Sequence, residues 1–257
     1  MDSNRDEVLL NRLKLKGRLE LGEAMTLLQI SESTARRLFS RLEEEGEAIR
    51  VHGGIRLPVK NPSEYSFEQV VKTYIEEKDA IGSKACDLLK EGDVLFCDTG
   101  TTVLCFCVEL ARRIKEKPFD IRVYTNSLAN FEVLASAVPI TLIGGEYRAH
   151  RKDFAGYLTE LVIGKLHFTK CFLGTDSCDM KRYFATTDFD TARMDEIAIG
   201  NSDETIILCD SSKFSASAHV GFASFADIDR IITDSGLPLQ KREALERLGL
   251  KLLVAEV

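Results

Sequence analysis

A chain of 257 residues, 44% hydrophobic and 29% charged with a formal net charge of −7, has the composition of a soluble globular protein with room for one large domain and one small one. Its polar start, Met1 to Glu7, does not read as a signal peptide and no apolar run reaches membrane-spanning length, so a cytoplasmic protein without a membrane partner is expected. The seven cysteines include no Cys-x-x-Cys pair and the four histidines are scattered, which argues for reduced core thiols and against a disulfide framework, a metal or another cofactor.

In chain order, Asn4 or Ser3 caps a first helix with Val8, Leu9, Leu13 and Leu15 as its apolar stripe, and Gly17 ends it. Leu19 to Leu21 is extended, a second helix runs from Gly22 to Leu28, and Gln29-Ile30 turns the chain into a third. On that third helix Ala35, Leu38, Phe39 and Leu42 share one side, while Ser33, Arg36, Arg37 and Ser40 share the other, with Arg41 at its edge. Ser31 suits the N-cap and Gly46 the stop. Ala48 to Arg56, with Gly53-Gly54 at its turn, then reads as a two-stranded wing bearing Arg50 and His52.

Guanidinium forks bond phosphates or guanine edges, and small hydroxyl residues let a helix come close to the major-groove wall. Two arginines on a lone helix are most often a solvated face; here the order of parts decides, because helix, helix, turn, helix, wing within residues 1–57 is the winged helix-turn-helix plan. Double-stranded DNA is the expected partner, contacted by Ser31, Ser33, Thr34, Arg36, Arg37, Ser40, Arg41, Arg50 and His52. Residues 1–60 hold 11 of the 34 basic and 10 of the 41 acidic residues, leaving 23 against 31 beyond. Phosphate binding therefore rests on local placement and is expected to be salt-sensitive.

Pro58 and Pro62 mark a linker over residues 58–64, and a second domain is expected over 65–257. After a largely helical stretch from Tyr65 to Leu89, short apolar strands alternate with helices. The strands are 94–97, 121–125, 140–143, 170–173, 205–209, 230–233 and 251–254, with helices near 103–114, 127–136, 190–200 and 239–248. Continuous apolar strands between helices predict an α/β domain with a mainly parallel sheet covered on both faces, in which ligands gather at the carboxyl ends of the strands.

Those ends carry Asp98-Thr99-Gly100-Thr101-Thr102, Asn126-Ser127, Gly144-Gly145-Glu146 with Arg148, Gly174-Thr175-Asp176, and Asp210-Ser211-Ser212-Lys213. Singly, each is an ordinary cap or turn; five on one sheet edge point to a polar ligand. A phosphorylated sugar suits their chemistry. Gly100, Thr101 and Thr102 open a helix that can cradle an oxyanion, Lys213 adds charge, and Asp98, Asn126 and Asp176 or Asp188 can bond sugar hydroxyls.

Two motif sets carry a resemblance. Ile30-Ser31-Glu32-Ser33-Thr34-Ala35-Arg36-Arg37, Leu42 to Gly46 and Arg50-Val51-His52-Gly53-Gly54 resemble the N-terminal domain of the DeoR family of bacterial transcriptional regulators, and the strand-end strings resemble its C-terminal sensor. The resemblance implies a sensor similar in fold to ribose-5-phosphate isomerase and a cytoplasmic homo-oligomer, dimer or tetramer. It also implies repression of carbohydrate genes under control of a phosphorylated sugar. Carried over, Asp98, Gly100, Thr101 and Thr102 match the phosphate loop, Asn126 and Ser127 the Thr-Asn-Ser motif, Gly144 and Gly145 the double glycine, and Lys213 the Ser-Lys-Phe lysine. The chain departs from the pattern at Leu38, where the arginine pair usually precedes Asp, at Tyr183, where Gly is favoured, and at Asp195-Glu196, near which a basic pair is common.

The competing reading is a sugar-phosphate isomerase-like enzyme with an added N-terminal module. An isomerase needs a carboxylate base, for which Glu146, Asp176 and Asp188 are the candidates. It leaves the wing unexplained, so a regulator and not an enzyme is the expectation.

Overall fold

The computed structural model describes residues 2–16, 18–44, 47–51, 53–56, 65–180 and 183–257. Gly17, Gly46, His52 and the expected linker 58–64 lie outside the described residues. The chain divides into two compact units, Met1–Tyr74 and Ile75–Val257.

The first unit comprises α1 (Asp2–Lys16), β1 (Arg18–Glu20), α2 (Leu21–Leu28), α3 (Glu32–Glu44), β2 (Ile49–Val51), β3 (Gly54–Arg56) and a short α4 (Phe67–Val70). Leu9, Leu13, Leu19, Ala24, Leu38, Phe39, Leu42, Ala48 and Ile55 form its core. Leu38, which stands where the resemblance has an acid, thus contributes packing in place of charge. Val8, expected on the buried stripe of α1, is exposed. β3 lies between β1 and β2, antiparallel to both, so the wing is anchored on the strand that precedes α2.

The second unit begins with α5 (Ile75–Cys86), β4 (Val94–Cys97), α6 (Thr101–Glu116), β5 (Arg122–Thr125), α7 (Leu128–Leu134) and β6 (Ile140–Leu142). A hairpin of β7 (Glu146–Arg148) and β8 (Asp153–Ala155) leads into α8 (Tyr157–Ile163), then β9 (Lys170–Leu173). β10 (Ser177–Asp179), β11 (Tyr183–Thr186), α9 (Phe189–Gly200), β12 (Thr205–Leu208), β13 (Val220–Ser224), β14 (Arg230–Asp234), α10 (Leu239–Arg247) and β15 (Lys251–Ala255) complete it.

The main sheet has seven strands in the order β15-β14-β12-β9-β4-β5-β6, and every pairing is parallel. Alternate residues of each strand enter different cores. Leu95, Cys97, Phe172, Ile206 and Leu208 pack with Ile81, Phe106 and Leu110 of α5 and α6. Phe96, Cys171, Leu173 and Ile207 pack with Phe168, Phe184, Met194 and Leu245 on the opposite face. Burial on both faces is what the unbroken apolar runs require. β10, β11 and β13 form a separate antiparallel sheet that the sequence reading did not anticipate. The cysteines are free thiols, and burial pushes that of Cys86 up to about 12.

The amino edge of the sheet is closed by an ion pair. Lys170 at the start of β9 donates to both oxygens of Asp93, at 2.7 and 2.8 Å, and both residues are buried. The Thr169 hydroxyl and the Lys90 amide also donate to Asp93, at 3.0 and 2.7 Å, so the carboxylate is fully engaged. Removing one partner of such a pair strands a buried charge, which costs far more than removing both. Lys170→Met is expected to lower the unfolding free energy by about 3–5 kcal/mol, and the Asp93→Leu, Lys170→Met double variant by clearly less. Urea denaturation measures both, and equal losses would contradict this account.

Candidate nucleic-acid interface and ligand site

α3 is positioned by a tight turn in which Gln29 takes the left-handed conformation (φ 51°) and the Ile30 amide donates to the Met25 carbonyl at 3.1 Å. The Ser31 hydroxyl caps α3, accepting weakly from the Thr34 amide at 3.4 Å and lying 3.1 Å from the Ser33 and 3.0 Å from the Thr34 hydroxyl. Ala35, Leu38, Phe39 and Leu42 are buried, leaving Ser33, Arg36 and Arg37 exposed on the other face.

The cations of this face are not equivalent. Arg36 donates through Nε and Nη2 to one oxygen of Glu32, at 2.8 and 2.7 Å. Arg50 on β2 donates to the Ser40 hydroxyl at 3.1 Å, tying the wing to α3. Arg41 donates to both oxygens of Asp6 at 2.5 Å, across the α1–α3 contact. Its guanidinium therefore ties α3 to α1, a bond that helical periodicity did not reveal because the partner lies in another helix.

In the second unit the chain runs β4 to β5 to β6 toward one edge, then returns to β9 on the other side of β4. That reversal lies at β4 and β9, the place where a parallel sheet opens a crevice at its carboxyl edge. Here the two backbones approach closely: a Cβ on Gly100 would lie 3.1 Å from the Gly174 Cα, so a side chain at either position would press on the other strand's end. Asp98 accepts from the Gly174 amide at 3.4 Å. Thr101 and Thr102, both buried, open α6, whose first-turn amides and dipole suit an anion.

A second layer comes from the β7–β8 hairpin and α9. Arg148 grips both oxygens of Asp153, at 2.9 and 2.6 Å, and donates at 2.5 Å to Asp188, the N-cap of α9. Arg151 donates to the Thr187 hydroxyl at 3.0 Å, and Thr187 in turn donates to Asp176. Asn126 donates to the Phe154 carbonyl at 3.0 Å and to the Met194 sulfur at 3.7 Å, while its own Oδ1 has no partner among the described residues.

The nominated residues therefore divide. Asp98, Gly100, Thr101, Thr102, Asn126 and Asp176 gather around the reversal, whereas others serve structure. The Ser127 hydroxyl is consumed in capping α7 through the Asn130 amide, and Asp188 caps α9. Gly145 is packed tightly against Thr159 and Ala155, and Gly144 gives its carbonyl to the Thr159 hydroxyl at 3.0 Å. Lys213 is half-buried on a short turn capped by Asp210. Sequence reasoning missed Lys78 on α5, which is 1% exposed and has Asp210, Lys213 and Cys105 as electrostatic neighbours. Burial pushes its pKa down to about 8 against the opposing pull of Asp210. Cys105 is one helical turn from Thr101, so Lys78 lies beside the opening of α6. Among the described residues no group of His, Cys, Asp or Glu could hold a metal ion, and no helix is long and apolar enough to cross a membrane.

A reading helix with its wing, joined in one chain to a parallel-sheet domain with a polar carboxyl edge, defines a DNA-binding regulator with an α/β sensor. The chain belongs to the DeoR family of transcriptional regulators: the DeoR-like helix-turn-helix domain matches residues 5–61 and the DeoR C terminal sensor domain residues 73–235. It is 33% identical to the lactose phosphotransferase system repressor of Lactococcus lactis over 92% of each chain. It is 32% identical to the HTH-type transcriptional regulator GlpR of Haloferax volcanii over 86% of each. Among solved structures, ribose 5-phosphate isomerase A of Methanocaldococcus jannaschii covers 53% of each chain at 19% identity and a TM-score of 0.41.

Burial pushes the Asp98 carboxyl up to about 6 from an ordinary 3.8, against hydrogen bonds from Thr99, Gly174 and Gly100 that favour its ionised form. A carboxyl raised on folding penalises the native state where the unfolded chain is ionised, so the penalty is absent below about pH 4 and complete above about pH 6. Asp98→Asn is expected to gain about 3 kcal/mol over the parent at pH 7.5, a gain that vanishes as the pH falls to 4. Chemical denaturation across that range checks it, and a pH-independent loss of stability would refute the assignment.

Proposed function

We propose that this chain represses carbohydrate-metabolism genes and that a phosphorylated sugar at the carboxyl edge of its sensor sheet controls its grip on DNA. The observation that carries the sugar-phosphate reading is the pairing of two chemistries at one edge. The opening of α6, with Thr101, Thr102 and the nearby cations Lys78 and Lys213, suits a phosphate. Asn126 Oδ1 and Asp210 Oδ2, buried acceptors without partners among the described residues, suit sugar hydroxyls. The relatives' names, among them lactose phosphotransferase system repressor, support repression of sugar genes. The isomerase reading has no comparable support.

In this reading residues 1–57 read DNA, 58–64 link, and 65–257 sense the effector and assemble a homo-oligomer in the cytoplasm. Arg36, Arg37 and Arg50, with Ser31, Ser33, Thr34 and Ser40, make the DNA contacts, and two copies of α3 fall on half-sites about 34–36 Å apart or a multiple of it. Tyr157, Leu158, Leu161 and Val162 expose an apolar side of α8, and Phe189 at the start of α9 is 80% exposed. That patch supports assembly through the sensor domain. The effector changes DNA affinity only by as much as it distinguishes the two states of the protein.

Arg37→Ala is expected to weaken operator binding about tenfold or more, on the order of 1–3 kcal/mol if a base contact is lost, and to leave thermal stabilisation by sugar phosphates intact. Lys213→Ala is expected to do the reverse. Fluorescence anisotropy at fixed salt and thermal-shift titration separate the two, and a variant that loses both while remaining folded would contradict the division of labour. Leu158→Glu is expected to lower the oligomeric state seen by light scattering; an unchanged mass would remove α8 from the interface.

A further inference from the structure

The carboxyl-edge site gathers charges of both signs. Lys78 has Asp210 and Lys213 as charged neighbours beside the opening of α6. Asp195 of α9 has Asp98, which follows β4 and itself takes hydrogen bonds from the Thr99, Gly100 and Gly174 amides, Asp176 after β9 and Asp153 of β8 as charged neighbours, with Arg151 among them. Arg148 is committed to Asp153 and Asp188, which leaves Asp98, Asp176 and Asp195 around Arg151.

Asp195 is the unexpected member. It is 1% exposed, and its Oδ1 has no hydrogen-bond partner among the described residues although Asp98 and Asp176 are its leading charged neighbours. A non-acidic acceptor repeats the observation independently. Asn126, also 1% exposed, spends its amide on Phe154 and on Met194, the residue before Asp195, and leaves Oδ1 without a partner. This part of the site therefore offers buried acceptors and closely grouped carboxyls that a cation would hold ionised. A hydroxyl can satisfy an acceptor but brings no charge; an alkylammonium brings three donors, no acceptor and one positive charge.

Resting on the sugar-phosphate reading above, we propose that the effector is a phosphorylated amino sugar, with its phosphate at the opening of α6 and its free ammonium received by Asp195, Asp98 and Asn126. Without such a cation, burial first, then Asp153 beside Asp98, and Asp98 and Asp176 beside Asp195, hold these two carboxyls above the ordinary range. An arriving ammonium favours their ionised forms, so binding releases protons. The groups that set this balance are Asp98, Asp153, Asp176 and Asp195 against Arg151 and Arg148, the latter shared with Asp188.

Calorimetric titration of the full chain with glucosamine 6-phosphate and galactosamine 6-phosphate, each against its 2-hydroxy counterpart, tests the proposal. An amino sugar phosphate is expected to bind at least tenfold more tightly than its hydroxy counterpart. Its heat should vary with buffer ionisation enthalpy in the sense of proton release. Asp195→Asn, which keeps the volume and removes the charge, is expected to erase the preference and the proton release. Equal or tighter binding of the hydroxy compounds, or of the N-acetylated ones, overturns the amine assignment and leaves the sugar-phosphate reading standing. If none of these sugar phosphates binds the parent chain, both fall. The parent's own preference is decisive even if the variant fails to fold.

Discussion

The constraint on which the sensor depends is that its seven main strands all run the same way. Parallel strands must be linked by crossovers, so every strand of the sheet ends on one side of the domain and every helix returns the chain to the other. Loops, helix beginnings and their unpaired amides thus collect along a single edge. The reversal at β4 and β9 falls on that edge, where Gly100 and Gly174 meet. The polar residues there are drawn from widely separated stretches of chain, and the common direction of the strands brings them together.

The two edges of this sheet solve different problems. At the amino edge Lys170 and Asp93 are buried against each other with every carboxylate oxygen engaged, an arrangement that fixes strand register and offers nothing to a ligand. At the carboxyl edge Asn126, Asp195 and Asp210 each keep a buried oxygen without a partner among the described residues. Leaving such groups unsatisfied costs stability, and Asp98, held neutral by burial well into the acid range, adds to that cost. Strain of this kind belongs where something must be recognised.

Much of this architecture could be read beforehand, and the parts that could not share a cause. The strands Val94–Cys97, Lys170–Leu173 and Thr205–Leu208 are buried on both faces and so consist of unbroken apolar runs that announce themselves. The β7–β8 hairpin has three-residue strands carrying Glu146, Arg148 and Asp153, with no period to detect. α8 was passed over because it is short and turns Tyr157, Leu158 and Leu161 outward. Among the site residues, the stretches that follow strands were visible from their turn and cap chemistry. Lys78 was not, since a lysine between Glu77 and Asp79 reads as surface, and only the packing of α5 on α6 and β14 buries it. Arg41 likewise had the composition of a DNA contact, and only the approach of α1 turns it onto Asp6. Local pattern reports which face is apolar; it does not report which distant partner claims a charge.

The Glu32–Arg36 pair bears on the proposed DNA reading, in which Arg36 is one of the contacts. Arg36 already holds a carboxylate within its own helix turn, at 2.7 Å, so a phosphate backbone offers it little more than an exchange of one anion for another. A guanine edge presents two acceptors in the geometry of the guanidinium fork and carries no full charge to repel Glu32. In the DNA reading proposed above, the acid beside the arginine competes more with backbone phosphates than with base edges.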